Sequence, residues 1–131
     1  MSGRPRAPGD RTAAGRRGED LAADFLVARG MKVLARNHRT RRGEVDLVCQ
    51  DGAVLCFVEV RSREAGAPVT PEESVDRRKA LRVVSAATDW AARHRALERP
   101  IRFDVVAIEL GAGAPVIRHH RNAFDADGAV P

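Results

Sequence analysis

The sequence predicts a single α/β domain, a mixed β-sheet flanked by helices in the order α-β-β-β-α-β-β, and three observations carry that expectation. A chain of 131 residues with 44% hydrophobic side chains is the size of one domain and can bury a real core. Apolar residues recur at helical spacing over residues 12–29 and 70–97, and short apolar runs suited to strands fill the remainder. Two of those runs are separated by Gln50-Asp51-Gly52, a hairpin signal. No apolar run approaches the roughly 18 residues needed to cross a bilayer, so a membrane-spanning segment is not expected.

Residues 1–11 read as a disordered basic tail, 12–124 as the domain, and 125–131 as a flexible C-terminal tail. The tail is rich in Arg, Pro and Gly and lacks the apolar stretch of a secretory signal, which predicts a cytoplasmic protein. Thr12 caps a first helix running to Arg29, with Gly30 stopping it. Its apolar face is Ala14, Leu21, Ala22, Phe25, Leu26 and Ala28, with Gly18 on the same stripe for close approach and Glu19 on its border. Met31–Arg36 reads as a strand, Asn37–Gly43 as a basic loop, and Glu44–Cys49 and Ala53–Val60 as a strand pair. After a polar loop, Thr70-Pro71-Glu72-Glu73 has the signature of a helix start, Thr as N-cap and Pro at the first helical position. That helix is expected to reach about Leu97, with Val75, Val83, Ala87 and Trp90 facing inward and Lys79 on the same side. Ile101–Leu110 and Val116–Arg121 complete the strands. Cys49 and Cys56 form no C-x-x-C pair and read as reduced, apolar side chains.

The formal charge of +5 is unevenly placed. Residues 1–18 carry net +4 and residues 29–42 net +6, so the rest of the chain is acidic. A concentrated basic segment points to a polyanion such as nucleic acid, although a solvated Arg-rich loop has the same composition. Arg36, His38, Arg39, Arg41 and Arg42 are the candidate phosphate contacts.

With Asp51-Gly52 as a two-residue loop, Asp46 faces Phe57 and Glu44 faces Glu59. Asp46 and Glu59 then share one face as diagonal neighbours, and Arg61 points the same way. A three-residue loop would send the two acids to opposite faces. Both faces of this hairpin are apolar enough to be buried, with Val45, Leu47 and Cys49 on one side. Buried carboxylates need a cation, and either Arg61 or a divalent metal satisfies that need. Hard oxygen ligands favour Mg²⁺ or Mn²⁺, which accept one or two protein carboxylates together with substrate phosphate. Asp104, by contrast, reads as the partner of Arg102 or another buried Arg.

Gly18-Glu19, Arg41-Arg42-Gly43-Glu44-Val45-Asp46-Leu47, Phe57-Val58-Glu59-Val60-Arg61, Arg102-Phe103-Asp104-Val105-Val106 and Asn122-Ala123-Phe124 together resemble the YraN family of predicted nucleases. That family resembles the restriction-endonuclease-like fold with its PD-(D/E)xK site, as seen also in archaeal Holliday-junction resolvases. The resemblance implies a metal-dependent endonuclease using Mg²⁺ or Mn²⁺, acting on duplex or branched DNA. Because resolvase-like relatives often pair, it also raises a homodimer. By position it makes Glu19 the helix acid, Asp46 and Glu59 the strand acids and metal ligands, and Arg61 the counterpart of the motif lysine. Arg stays protonated and cannot act as a base, but it can hold a phosphoryl oxygen. The alternative expectation is therefore a nucleic-acid-binding module of the same fold with weak or no turnover. Lys79 is either a substitute cation or a snorkelling lysine at the core's edge.

Overall fold

A computed structural model describes residues 12–129. The expected tail of residues 1–11 lies outside the described residues. The elements are α1 (Ala13–Ala28), β1 (Lys32–Arg39), β2 (Glu44–Asp51), β3 (Val54–Glu64), a 3-10 turn (Glu72–Ser74), α2 (Arg77–Arg93), β4 (Ile101–Leu110) and β5 (Val116–Phe124). The five strands form one sheet in chain order, antiparallel except for β3 and β4. Those two are parallel because α2 carries the chain across the sheet between them. The expected α/β class and element order are observed. Among the described residues, no helix is long and apolar enough to cross a membrane.

The two helices cover separate apolar layers. Ala22, Ala23 and Leu26 of α1 pack with Leu47, Cys49, Cys56, Val58, Val106 and Ile108. Val83, Ala87 and Trp90 of α2 pack with Val45, Val48, Leu55, Phe57, Phe103 and Val105. Each fully buried Val, Leu or Phe contributes about 1.5–3 kcal/mol of burial free energy. Thr12 caps α1 as expected, its hydroxyl accepting from the Gly15 amide at 2.8 Å. Gly18 is buried against Ser62 of β3 and Ile108 of β4, which seats the adjoining Glu19 against the sheet. Ala14 and Ala28, expected on the apolar face, are exposed.

Four expectations are corrected. First, β1 runs to Arg39, so much of the anticipated basic loop is strand, and only residues 40–43 turn back into β2. A solvent-facing edge strand tolerates charged side chains, so a run of Arg does not end it. Second, the β2–β3 register is shifted by two residues. Asp51 pairs with Val54, and Gly52-Ala53 makes the loop, with Gly52 at φ +58°. The regular pairing ends at Leu47 and Val58, one residue short of Asp46 and Glu59, and an even shift leaves side-chain direction within the paired stretch unchanged. Third, Thr70 and Glu73 do form the reciprocal capping box, each amide 3.1 Å from the other's side chain, but it encloses only the 3-10 turn. Val75 is extended, and α2 begins afresh with Asp76 as its cap and ends at Arg93 instead of Leu97. Fourth, Asp125 to Ala129 forms a hydrogen-bonded turn in the segment expected to be a flexible tail, and Gly128 sits against Leu81 and Arg77 of α2.

Gly43 fixes the β1–β2 turn to α2. A Cβ added there would strike the backbone carbonyl of Arg82, which cannot swing aside as a side chain would. Gly43→Ala is therefore expected to cost about 1–3 kcal/mol, as overpacking of a filled contact does. Urea unfolding checks this, and an unchanged midpoint would mean that the turn does not rest on the helix.

Candidate functional site

The pleat alternation slips at the head of β2. Val45 and Val48, three residues apart, both belong to the α2-side core, whereas Leu47 and Cys49 belong to the α1-side core. The expected common face of Val45, Leu47 and Cys49 is thus broken beside Asp46. Regular β2–β3 pairing stops at Leu47 and Val58, while β3 continues alongside β4 to Glu64 and Leu110. Asp46 enters this interruption, its Oδ2 accepting the Val60 amide at 2.7 Å. A side chain thus takes up a backbone donor at the point where the ladder ends.

A cleft of about 290 Å³ opens there, lined by Glu19, Glu44, Asp46, Glu59, Arg61 and the start of α1. Glu19, Asp46 and Glu59 are all buried. Burial, the charge of Asp46 and a hydrogen bond with Asp46 push the Glu59 carboxyl well above the usual carboxylate range, against the opposing influence of Arg61. Arg61 does not clasp the pair. Its Nη1 is 3.6 Å from Glu59 Oε2, and its Nε donates to Ser74 Oγ at 2.8 Å. Two acids expected from the sequence to meet do meet, and the nearby guanidinium does not offset the burial that raises Glu59.

Two buried carboxylates in a polar cleft suit a small hard cation, which accepts one or two such ligands and keeps several waters. Among the described residues, no group of three or more His, Cys, Asp or Glu is placed to hold an ion by itself. Glu19 lines the cleft without completing such a cage.

The basic candidates divide. Arg36 Nη2 lies 2.6 Å from Asp20 of α1, His38 Nε2 lies 2.8 Å from Asp89 of α2, and Arg39 Nε lies 3.1 Å from Glu44. Arg41 and Arg42 are exposed on the 40–43 turn and make no ion pair among the described residues. Lys79 donates to the Ser74 carbonyl at 2.9 Å, so its ammonium secures the 3-10 turn and does not join the carboxylate cleft. Ser74 was missed by sequence reasoning. It is buried and ties Arg61 to the segment before α2, and its only sequence signal is its place just after the capping box. Asp104 is paired as expected, accepting from Arg102 at 2.9 and 3.0 Å and also from His119.

The family model described as "Uncharacterised protein family UPF0102" matches residues 18–108, a span that begins just before Glu19 and contains both strand acids. A UPF0102 protein of Anaeromyxobacter dehalogenans (strain 2CP-C) is 60% identical over 129 residues, covering 98% of this chain and 96% of that protein. UPF0102 proteins of Symbiobacterium thermophilum and Rhodococcus opacus (strain B4) are 45% and 44% identical, each over 86% of this chain and 96% of the relative.

Proposed function

The chain belongs to the uncharacterised protein family UPF0102, and from that starting point we propose that it is a nucleic-acid-binding protein with a divalent-metal-dependent endonuclease site that hydrolyses DNA phosphodiester bonds. The observation that carries this reading is the Asp46–Glu59 pair, two carboxylates buried side by side in an open polar cleft. The sheet supports it too. A parallel strand pair spanned by a helix, with acids where an antiparallel pair ends, is consistent with the restriction-endonuclease-like arrangement that the sequence motifs resemble.

In this reading Asp46 and Glu59 hold Mg²⁺ or Mn²⁺, and Glu19 supplies further negative charge from α1. The ion, when bound, contributes the charge that polarises a phosphate and acidifies water. Asp46 is kept in position by the Val60 amide. Arg61, oriented by Ser74, remains charged and offers N–H donors to a phosphoryl oxygen.

The test is a panel of duplex, branched and single-stranded substrates with Mg²⁺ or Mn²⁺. Metal-dependent cleavage by the native chain, lost in Asp46→Ala and Glu59→Ala, is the expected result. Cleavage that survives Glu59→Ala would assign the activity to a contaminant. A second reading, a binding module without turnover, is favoured by the Arg at position 61 and its tether to Ser74. Tight binding with no cleavage, unrestored by Arg61→Lys, would select it.

A further inference from the structure

A second cleft lies across the wall of the first. Arg39, Arg41 and Arg42 form one side of a groove of about 410 Å³, and Ser85, Asp89 and Arg93 of α2 form the other. The wall is an ion pair, Arg39 in this groove with Glu44 in the carboxylate cleft. Its charge is strongly positive, with four arginines and a single acid. That acid, Asp89, sits between His38 at 2.8 Å and Arg93 at 2.9 Å, so it positions the cation of α2. The turn bearing Arg41 and Arg42 cannot drift from the helix, because Gly43 rests on the Arg82 backbone. The backbone that bears Arg41 and Arg42 is therefore held against α2.

We propose that this groove, with α2 as one bank, holds backbone phosphates of the same nucleic-acid strand several residues from the phosphate that enters the carboxylate cleft. The inference rests on the function proposed above and adds a requirement on the substrate: it must extend past the point of attack. A mononucleotide-sized diester fills only the carboxylate cleft. A duplex long enough to cross the Arg39–Glu44 wall reaches both sites. The Arg39–Glu44 pair, with one partner in the groove and the other in the cleft, favours a phosphate backbone that reaches both over an acidic peptide held by the groove alone.

The experiment compares Arg41→Gln/Arg42→Gln and, separately, Arg93→Gln with the native chain. Affinity for a duplex of about 20 base pairs is measured by fluorescence anisotropy across salt concentrations. Each arginine removed is expected to flatten the log–log salt dependence by roughly 0.9, and the double variant to weaken binding about tenfold or more at moderate salt. Mn²⁺ binding heat should match the native chain, since none of the groove's arginines lines the carboxylate cleft. An unchanged salt slope in all variants overturns the proposal, as does an equal loss of affinity for polyglutamate, which would mark an acidic-protein surface. If the slope flattens while the native chain shows no Mn²⁺ heat, the groove stands and the nuclease reading falls.

Discussion

Replacing Glu59 by Gln is expected to raise the melting temperature of the metal-free protein at neutral pH while removing its Mn²⁺ binding. Burial and the adjacent Asp46 hold the Glu59 carboxyl well above its ordinary value near 4.5. Between that ordinary value and the raised one, folded Glu59 keeps a proton that the unfolded chain has released. Stability from this group therefore falls as pH rises through the interval, and the loss is complete above the folded value. Gln cannot ionise, yet it retains an N–H to give Asp46. The native chain should lose melting temperature as pH climbs from about 4.5, and the variant should be flatter, with a gain on the order of 1–2 kcal/mol at neutral pH. Calorimetry should show Mn²⁺ heat in the native chain and none in the variant, and cleavage should fall about 100-fold or more. Retained Mn²⁺ heat would remove Glu59 from the ligand set. Equal melting curves across pH would show that its burial costs the fold nothing. A residue that weakens the fold and is needed for chemistry is the usual signature of a site kept for function.

Asp104→Ala should do the reverse, unfolding the protein while leaving the carboxylate cleft chemically intact. The Asp104 side chain is fully buried. It accepts both Arg102 contacts, His119 Nε2 at 2.9 Å and the Asn122 amide at 3.0 Å. Although burial alone would raise it, the hydrogen bonds from His119, Arg102 and Asn122 hold this carboxyl below its usual range. Deleting it leaves the Arg102 guanidinium with only Asp51 Oδ2 at 3.0 Å and the Asn122 amide and His119 without their acceptor, at a cost of about 3 kcal/mol. Asp104→Asn keeps one acceptor and should fall between. Urea midpoints measure both, and a loss below about 1 kcal/mol for the alanine variant would show that the network is dispensable. The folded fraction should still bind Mn²⁺.

Much of the architecture was legible in the residues because period and turn chemistry are local. Thr12, Gly30 and Gly52 each act within a few positions, and α1 and the β2–β3 hairpin followed from them. The Asp46–Glu59 meeting was legible for a subtler reason. The loop was misplaced by two residues, and an even error leaves side-chain direction unchanged. What was hidden depends on distant partners. The delayed start of α2 goes with a tie of Ser74 to Arg61, thirteen positions away, and a fresh cap at Asp76. The pairing of Arg36 and His38 with Asp20 and Asp89 joins a strand to two different helices, and no spacing rule announces it. The slip at Asp46 is visible only once both helices are in place and Val45 is seen to take the α2 side.

Because spatial order of the strands follows chain order, most neighbours are joined by brief connections, and only β3 and β4 must wait for the long excursion through α2. Closing that interval carries the largest loop-closure entropy in the molecule. The first three strands, carrying both acids, can assemble early as a low-contact-order meander, and the parallel join sets the pace of folding. The residues that line the carboxylate cleft thus all come from the stretch between α1 and β3, ahead of that long connection.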